Sequence, residues 1–229
     1  MKRHIPNFLT ILNLLSGTVG IVLVFHDHLL MASATIWLGG IFDFLDGFMA
    51  RLLRVKSLIG KELDSLADMI TFSLLPSFIV FHYLKLASPN DFIPYLSFSI
   101  AVFSALRLAK FNIDERQTSS FLGLPTPASA FLISSIPYYY ESMEYGYLVN
   151  TTTLLFLTLF LSVLMVSEIR LFSFKLKGIS WSNDKWKILL FLVSIVLIIW
   201  LNVLSIPLII LSYIIFSFPD NKKRGNSVE

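Results

Sequence analysis

The chain contains no cysteine. Disulfide frameworks, thiolate zinc sites and cysteine nucleophiles are therefore excluded. Charge is scarce too. Asp, Glu, Lys and Arg make up 14% of the 229 residues, against about 25% in an average soluble protein. So little charge excludes a disordered polar tail. It also excludes a conventional nucleic-acid binder, despite a net charge of +3 and a pI near 9.1. There is no Cys or His cluster, sequence repeat or low-complexity tract.

What is present is apolar. Hydrophobic residues reach 55% and the mean hydropathy is +0.75, more apolar surface than a 26.0 kDa globule could hide from water. The composition predicts an all-α, polytopic membrane bundle forming a single domain over 1–229. A membrane helix needs roughly 20 apolar residues. Eight runs qualify, at about 8–25, 30–50, 64–84, 92–111, 126–140, 148–168, 186–201 and 203–218. The fifth is short. The last two are separated only by Asn202 and a turn ending at Pro207, which also fits one broken hairpin. The first run follows Lys2 and Arg3 but lacks a small-residue cleavage site, so it reads as an uncleaved helix rather than a signal peptide.

Basic residues give the expected orientation. Of 18 Lys and Arg, 17 fall in alternate connections and only Lys85 falls on the other side. The positive-inside rule puts the basic side, and both termini, in the cytoplasm. Trp181, Trp186 and Tyr138–Tyr140 sit where interfacial aromatics are expected. The basic segment 219–229 reads as a flexible tail that touches anionic headgroups.

Four aspartates break the apolar pattern: Asp43, Asp46, Asp64 and Asp68. Each costs about 2.5–3.5 kcal/mol near the middle of a span. Snorkelling, or pairing with Arg51 and Lys61, is the plain explanation. The spacing argues for more. Asp43, Asp46, Gly47 and Ala50 follow an i, i+3, i+4, i+7 pattern, while Asp64 and Asp68 are i, i+4. A short connection near Lys56 makes the two helices antiparallel neighbours, so both acidic stripes can meet. Clustered carboxylates repel unless cations neutralise them. An oxygen-only set suits Mg²⁺ or Mn²⁺, with Ca²⁺ also compatible. Asp46 precedes Arg54 by eight residues, about 12 Å of helix. The site is thus inside the membrane yet open to its basic face.

Residues 43–68 read DFLDGFMARLLRVKSLIGKELDSLAD. This stretch resembles the D-x2-D-G-x2-A-R-x8-G-x3-D-x3-D signature of the CDP-alcohol phosphatidyltransferases, filled by Asp43, Asp46, Gly47, Ala50, Arg51, Gly60, Asp64 and Asp68. Eight such positions arise by chance about once in 10¹⁰ starts at typical residue usage. The blocks IPNFLTILNLLSG (5–17), RLAKFN (107–112), FLGLPTPAS (121–129) and MVSEIRLFSFK (165–175) are similar to those of the bacterial membrane-type serine-accepting branch.

The resemblance implies transfer of a phosphatidyl group from CDP-diacylglycerol to the hydroxyl of L-serine, with release of CMP. It implies direct displacement with no phosphatidyl-enzyme, one or two divalent cations on Asp43, Asp46, Asp64 and Asp68, Asp68 as general base, and a homodimer. Asp46, Gly47, Ala50, Arg51, Ser57, Gly60 and Asn7 would contact the nucleotide and CDP-lipid. An ordinary helix start after Pro6 explains Asn7 equally well, and a small-residue packing face would explain Gly47 and Ala50. Arg107, Lys110, Asn112 and Arg116 are candidates for serine or lipid phosphate. Positive-inside topology alone accounts for Lys110 and Arg116, whereas Arg107 lies a turn deeper. Glycerol 3-phosphate or inositol phosphate are the alternative acceptors. A divalent-cation transporter is the alternative of another class. His26-Asp27-His28 falls on the side away from the acidic stripes.

Overall fold

The computed structural model describes residues 4–55, 57–113, 120–172 and 181–225. Lys56, Arg116 and the tail beyond Gly225 lie outside the described residues. The all-helical expectation holds. In chain order the helices are α1 (His4–Phe25), α2 (Leu29–Leu52), α3 (Leu58–Met69), α4 (Leu75–Ala87), α5 (Ser99–Ile113), α6 (Thr126–Ser134), α7 (Ile136–Glu141), α8 (Thr151–Val166), α9 (Trp181–Leu201) and α10 (Ile206–Gly225). A π-helical turn, Ile70–Leu74, joins α3 to α4 as one rod.

Five stretches are long and apolar enough to cross a membrane: His4–Phe25, Leu29–Leu52, Leu58–Ala87, Ile93–Ile113 and Lys185–Ser217. The first four expected runs are among them, the last two lie together in Lys185–Ser217, and the runs at 126–140 and 148–168 hold shorter helices for local reasons. The run at 126–140 is broken between α6 and α7 at Ser135, just before Pro137. The run at 148–168 holds a helix of only 16 residues, which starts late because Asn150 caps it by accepting from the Thr153 amide at 3.0 Å. The last two runs form one stretch that is folded back on itself. Asn202 takes a left-handed φ of +48° and the chain turns through Asn202–Ser205. The rings of Trp186 and Phe216 then lie 5.8 Å apart, whereas a straight helix would separate them by about 45 Å.

The α3–α4 rod is the centre of the bundle. Its apolar window is 56% buried, against 33% for α1, α2 and the α5 stretch. Phe72, Leu75, Ile79 and Leu84 are fully enclosed there, beside Ile36 of α2, Ile100 of α5, Ile133 of α6 and Met165 of α8. Hydroxyls inside the bundle return their protons to the helix backbone, as Ser77 does to the Ser73 carbonyl at 2.7 Å and Ser16 to Leu12 at 2.9 Å. This satisfies them without water.

Two of the sequence blocks meet in a short ribbon. Strand β1 (Ser120–Leu122) pairs antiparallel with β2 (Arg170–Phe172), with Leu122 opposite Arg170. The Gly123 amide continues the ladder to the Ile169 carbonyl at 2.9 Å. Gly123 has φ +72° and lies against the Met165 carbonyl, where a side chain would collide.

Candidate active site

Three elements build the site. Helix α2 ends at Leu52, and a left-handed Arg54 (φ +53°) reverses the chain. Ser57 then starts α3 as an N-cap, its hydroxyl accepting from the Gly60 amide at 3.1 Å. This tight return brings the acidic stripes of α2 and α3 to the same level. The backbones of α2 and α3 barely approach each other, however. Helix α1 packs against both and forms the third wall. The room between α2 and α3 is spanned by acidic side chains. One carboxylate oxygen from each of Asp43, Asp64 and Asp68 lies within 4.8 Å of the others.

Asp46, one turn from Asp43, is only 7% exposed. Thr10 of α1 donates to its Oδ2 at 2.6 Å, and the same hydroxyl oxygen lies 3.1 Å from the Pro6 carbonyl. Asn13, also of α1, donates from Nδ2 to Asp68 Oδ1 at 3.2 Å. Neither Thr10 nor Asn13 was singled out in the sequence. A signal was present: Asn7, Thr10 and Asn13 form an i, i+3, i+6 polar line on a largely apolar helix.

The donor set fits a divalent cation. Among the described residues no Lys or Arg pairs with any of the four aspartates. Asp64 Oδ1 is buried with no hydrogen-bond partner. Several carboxylates this close, unpaired and short of water, hold together when a cation is shared between them. All-oxygen ligation is what Mg²⁺ and Mn²⁺ prefer.

Beside the acids lies a cavity of about 460 Å³ lined by residues of α1, α2, the turn and α3, among them Asn7, Asp46, Gly47, Ala50, Ser57 and Gly60. Six of the seven residues expected at the nucleotide therefore share one cavity wall. Arg51 is the seventh. It is exposed and its Nε donates to the Gly47 carbonyl at 3.0 Å, along its own helix. A Cβ on Gly47 would meet nothing within 4 Å, so at this point the bare helix backbone faces open space. Gly60 serves a different end: a Cβ there would come within 2.9 Å of Asn7 Oδ1, so the glycine lets α3 close on α1.

The basic candidates separate. Arg107 is 7% exposed; its Nη1 donates to Thr126 at 3.0 Å, and its Nε is buried without a partner. Lys110 is exposed at the end of α5. Asn112 is engaged in tying α5 to α3: its amide donates to Ser65 at 2.9 Å, and its carbonyl accepts from Lys61 Nζ at 2.8 Å. Arg116 lies outside the described residues. Asp27 and His82 approach to 3.5 Å on a different part of the bundle.

The family model described as CDP-alcohol phosphatidyltransferase matches residues 3–218. The chain is 34% identical over 205 residues to a CDP-diacylglycerol–serine O-phosphatidyltransferase of Helicobacter pylori, covering 88% of this chain and 84% of that protein. It is 33% identical over 174 residues to the protein of the same name from Bacillus subtilis, covering 76% and 92%. A namesake from Methanocaldococcus jannaschii is 32% identical over 170 residues, covering 72% of each chain.

Proposed function

On the premise that this chain, an integral membrane protein, belongs to the CDP-alcohol phosphatidyltransferase family, we propose that it transfers a phosphatidyl group from CDP-diacylglycerol to the hydroxyl of L-serine and releases CMP. The observation that carries this reading is the convergence of Asp43, Asp64 and Asp68 oxygens within 4.8 Å, next to the cavity on Gly47. Relatives named for the serine reaction across bacteria and an archaeon support serine as the acceptor.

Asp43, Asp46, Asp64 and Asp68 would hold Mg²⁺ or Mn²⁺. Bound there, such ions draw charge from the diphosphate and ease departure of the CMP oxygen. The protein's own groups supply the rest. The cytidine diphosphate lies along α2 at the bare backbone of Gly47 and the small side chain of Ala50, with Ser57, Gly60 and Asn7 around the nucleotide. Arg51 is one helical turn from Gly47 and offers a planar fork of donors to a phosphate. Asp68 lies one turn along α3 from Asp64, with an oxygen within 4.8 Å of those of Asp43 and Asp64. It takes the proton from the serine hydroxyl as that oxygen attacks phosphorus and the phosphorus–oxygen bond to CMP breaks. Attack is direct, with no phosphatidyl-enzyme.

Arg107 is the acceptor's counter-charge: it is buried, and its Nε has no protein partner. Lys110, and Arg116 beyond it, bind lipid phosphate at the rim. The basic face and both termini are cytoplasmic, in the inner membrane, and the enzyme works as a homodimer.

The test uses the purified full chain in lipid nanodiscs with labelled CDP-diacylglycerol. CMP release should require serine together with Mg²⁺ or Mn²⁺. Release driven by glycerol 3-phosphate or inositol phosphate instead would replace the acceptor. Cation uptake into sealed vesicles without any CMP release would replace the reaction by transport.

A further inference from the structure

Asn13 is fully buried in the middle of α1, 55 positions before Asp68, and its surroundings leave it one direction to face. Its backbone carbonyl accepts from Thr71 Oγ1 at 2.8 Å. Thr71 belongs to the π-helical turn that begins two residues after Asp68. Single turns of this kind inside α-helices are frequent at functional sites. On the other side stands Gly39 of α2. A Cβ there would strike the Thr71 methyl and come within 2.9 Å of Asn13 Oδ1. Asn13 therefore sits in a slot cut by a glycine of α2 and closed by Thr71. Its amide nitrogen is directed at Asp68 Oδ1, 3.2 Å away, while its own oxygen has no hydrogen-bond partner.

A buried amide that leaves its acceptor unused is costly. Helix packing alone does not require it, because an apolar side chain of similar shape would fill the slot without an orphan oxygen. A donor to one oxygen of a carboxylate does something that packing cannot. It fixes the rotation of the carboxylate about its Cβ–Cγ bond and keeps that oxygen engaged. Three acids of this group lie within reach of a shared cation, so a carboxylate with no such tether is free to turn fully onto the cation.

We propose that Asn13 is a positioning residue for Asp68: its amide ties Asp68 Oδ1, so that the carboxylate meets the acceptor hydroxyl in one orientation instead of turning wholly to the cation. Asn13 touches neither substrate, and it acts through Asp68. The role rests on the reaction proposed above. Gly39 and Thr71 share in it by holding the amide in place.

The experiment compares the full-length protein with Asn13→Leu, which keeps the volume and loses the donor, and with Gly39→Ala, which pushes the same amide from a different helix. Four quantities are measured: kcat, KM for CDP-diacylglycerol and for the acceptor, the Mn²⁺ titration midpoint by electron paramagnetic resonance, and the melting temperature. Both variants should lower kcat roughly 10- to 100-fold, the size of one charge-assisted hydrogen bond. KM values should stay within about threefold, and the Mn²⁺ midpoint should stay the same or tighten, because Asp43, Asp46 and Asp64 are untouched and a released Asp68 turns further onto the ion. An unchanged kcat in Asn13→Leu overturns the proposal. So does a loss that follows a fallen melting temperature in both variants, or one that appears in KM or in Mn²⁺ affinity with kcat kept. The kinetic split is read with whichever acceptor drives CMP release, so failure of serine removes the acceptor assignment and leaves the Asn13 test standing.

Discussion

Thr10 and Asp46 are 36 positions apart in the chain, yet Thr10 Oγ1 lies 2.6 Å from Asp46 Oδ2 and donates to it. Both groups are buried, with Thr10 at 3% and Asp46 at 7% exposure. The helix that contributes no acid to the site thus supplies a hydrogen bond to one that does. Thr10→Val keeps the shape and removes the donor. It should weaken Mn²⁺ binding by about 10-fold or more, as expected when a ligand's outer partner is lost, and Thr10→Ser should recover most of the loss. Paramagnetic resonance of Mn²⁺ in the detergent-solubilised protein is the readout.

Gly47 predicts a trade between stability and binding. Nothing lies within 4 Å of a Cβ at this position, and alanine in a helix interior is favoured over glycine by about 1 kcal/mol. Gly47→Ala should therefore melt at the same temperature or slightly higher. The added methyl projects into the cavity, so KM for CDP-diacylglycerol should rise. Gly47→Leu should raise it further, by about 10-fold or more for a filled contact surface.

Removing the cation should stop the reaction without unfolding the bundle. The core is built from apolar side chains such as Phe72, Leu75, Ile79 and Ile100, whose packing does not depend on a cation. Chelator treatment should abolish CMP release and leave helical circular dichroism unchanged, with activity returning on addition of Mg²⁺ or Mn²⁺. Asp64→Asn should no longer respond to either ion at the same concentrations.

Gly123→Ala tests the ribbon. Its φ of +72° and its contact with the Met165 carbonyl both oppose a side chain. A cost of about 2–4 kcal/mol is expected from left-handed strain plus a backbone collision. It should appear as a lower melting temperature in detergent, with kcat of the surviving folded fraction intact.

The closing hairpin can be tested directly because the chain has no native cysteine. Replacing Trp186 and Phe216 together by cysteine should allow a short bifunctional thiol reagent to bridge them within one chain. A continuous rod would hold them about 45 Å apart and give no such product.

The acidic site was legible in the sequence because its ligands follow helical spacing within 26 residues, where i, i+3 and i, i+4 relations dictate a shared face. Gly47, Ala50, Ser57, Gly60 and Asn7 followed from the same stretch and the block before it, and all of them line the cavity. Thr10 and Asn13 were not found, because polar residues on an apolar helix are as often satisfied by their own backbone, as Ser16 and Thr18 are. Only the approach of α1 to two other helices distinguishes them. The reversal at Asn202 was legible too, as a turn between two apolar runs, whereas the break before Pro137 was hidden because hydropathy does not register a local breaker. The opening between α2 and α3 could not be read from the short turn, which fixes the level of two helices and leaves their separation free.

The order of the chain has one further consequence. All four acids and both of their α1 donors fall between Thr10 and Asp68, inside the first third of the protein. A nascent polypeptide has delivered every one of these groups to the insertion machinery before most of the bundle is translated. The acids and their α1 donors belong to the first helices made, and later ones add the remaining groups, Arg107 of α5 among them.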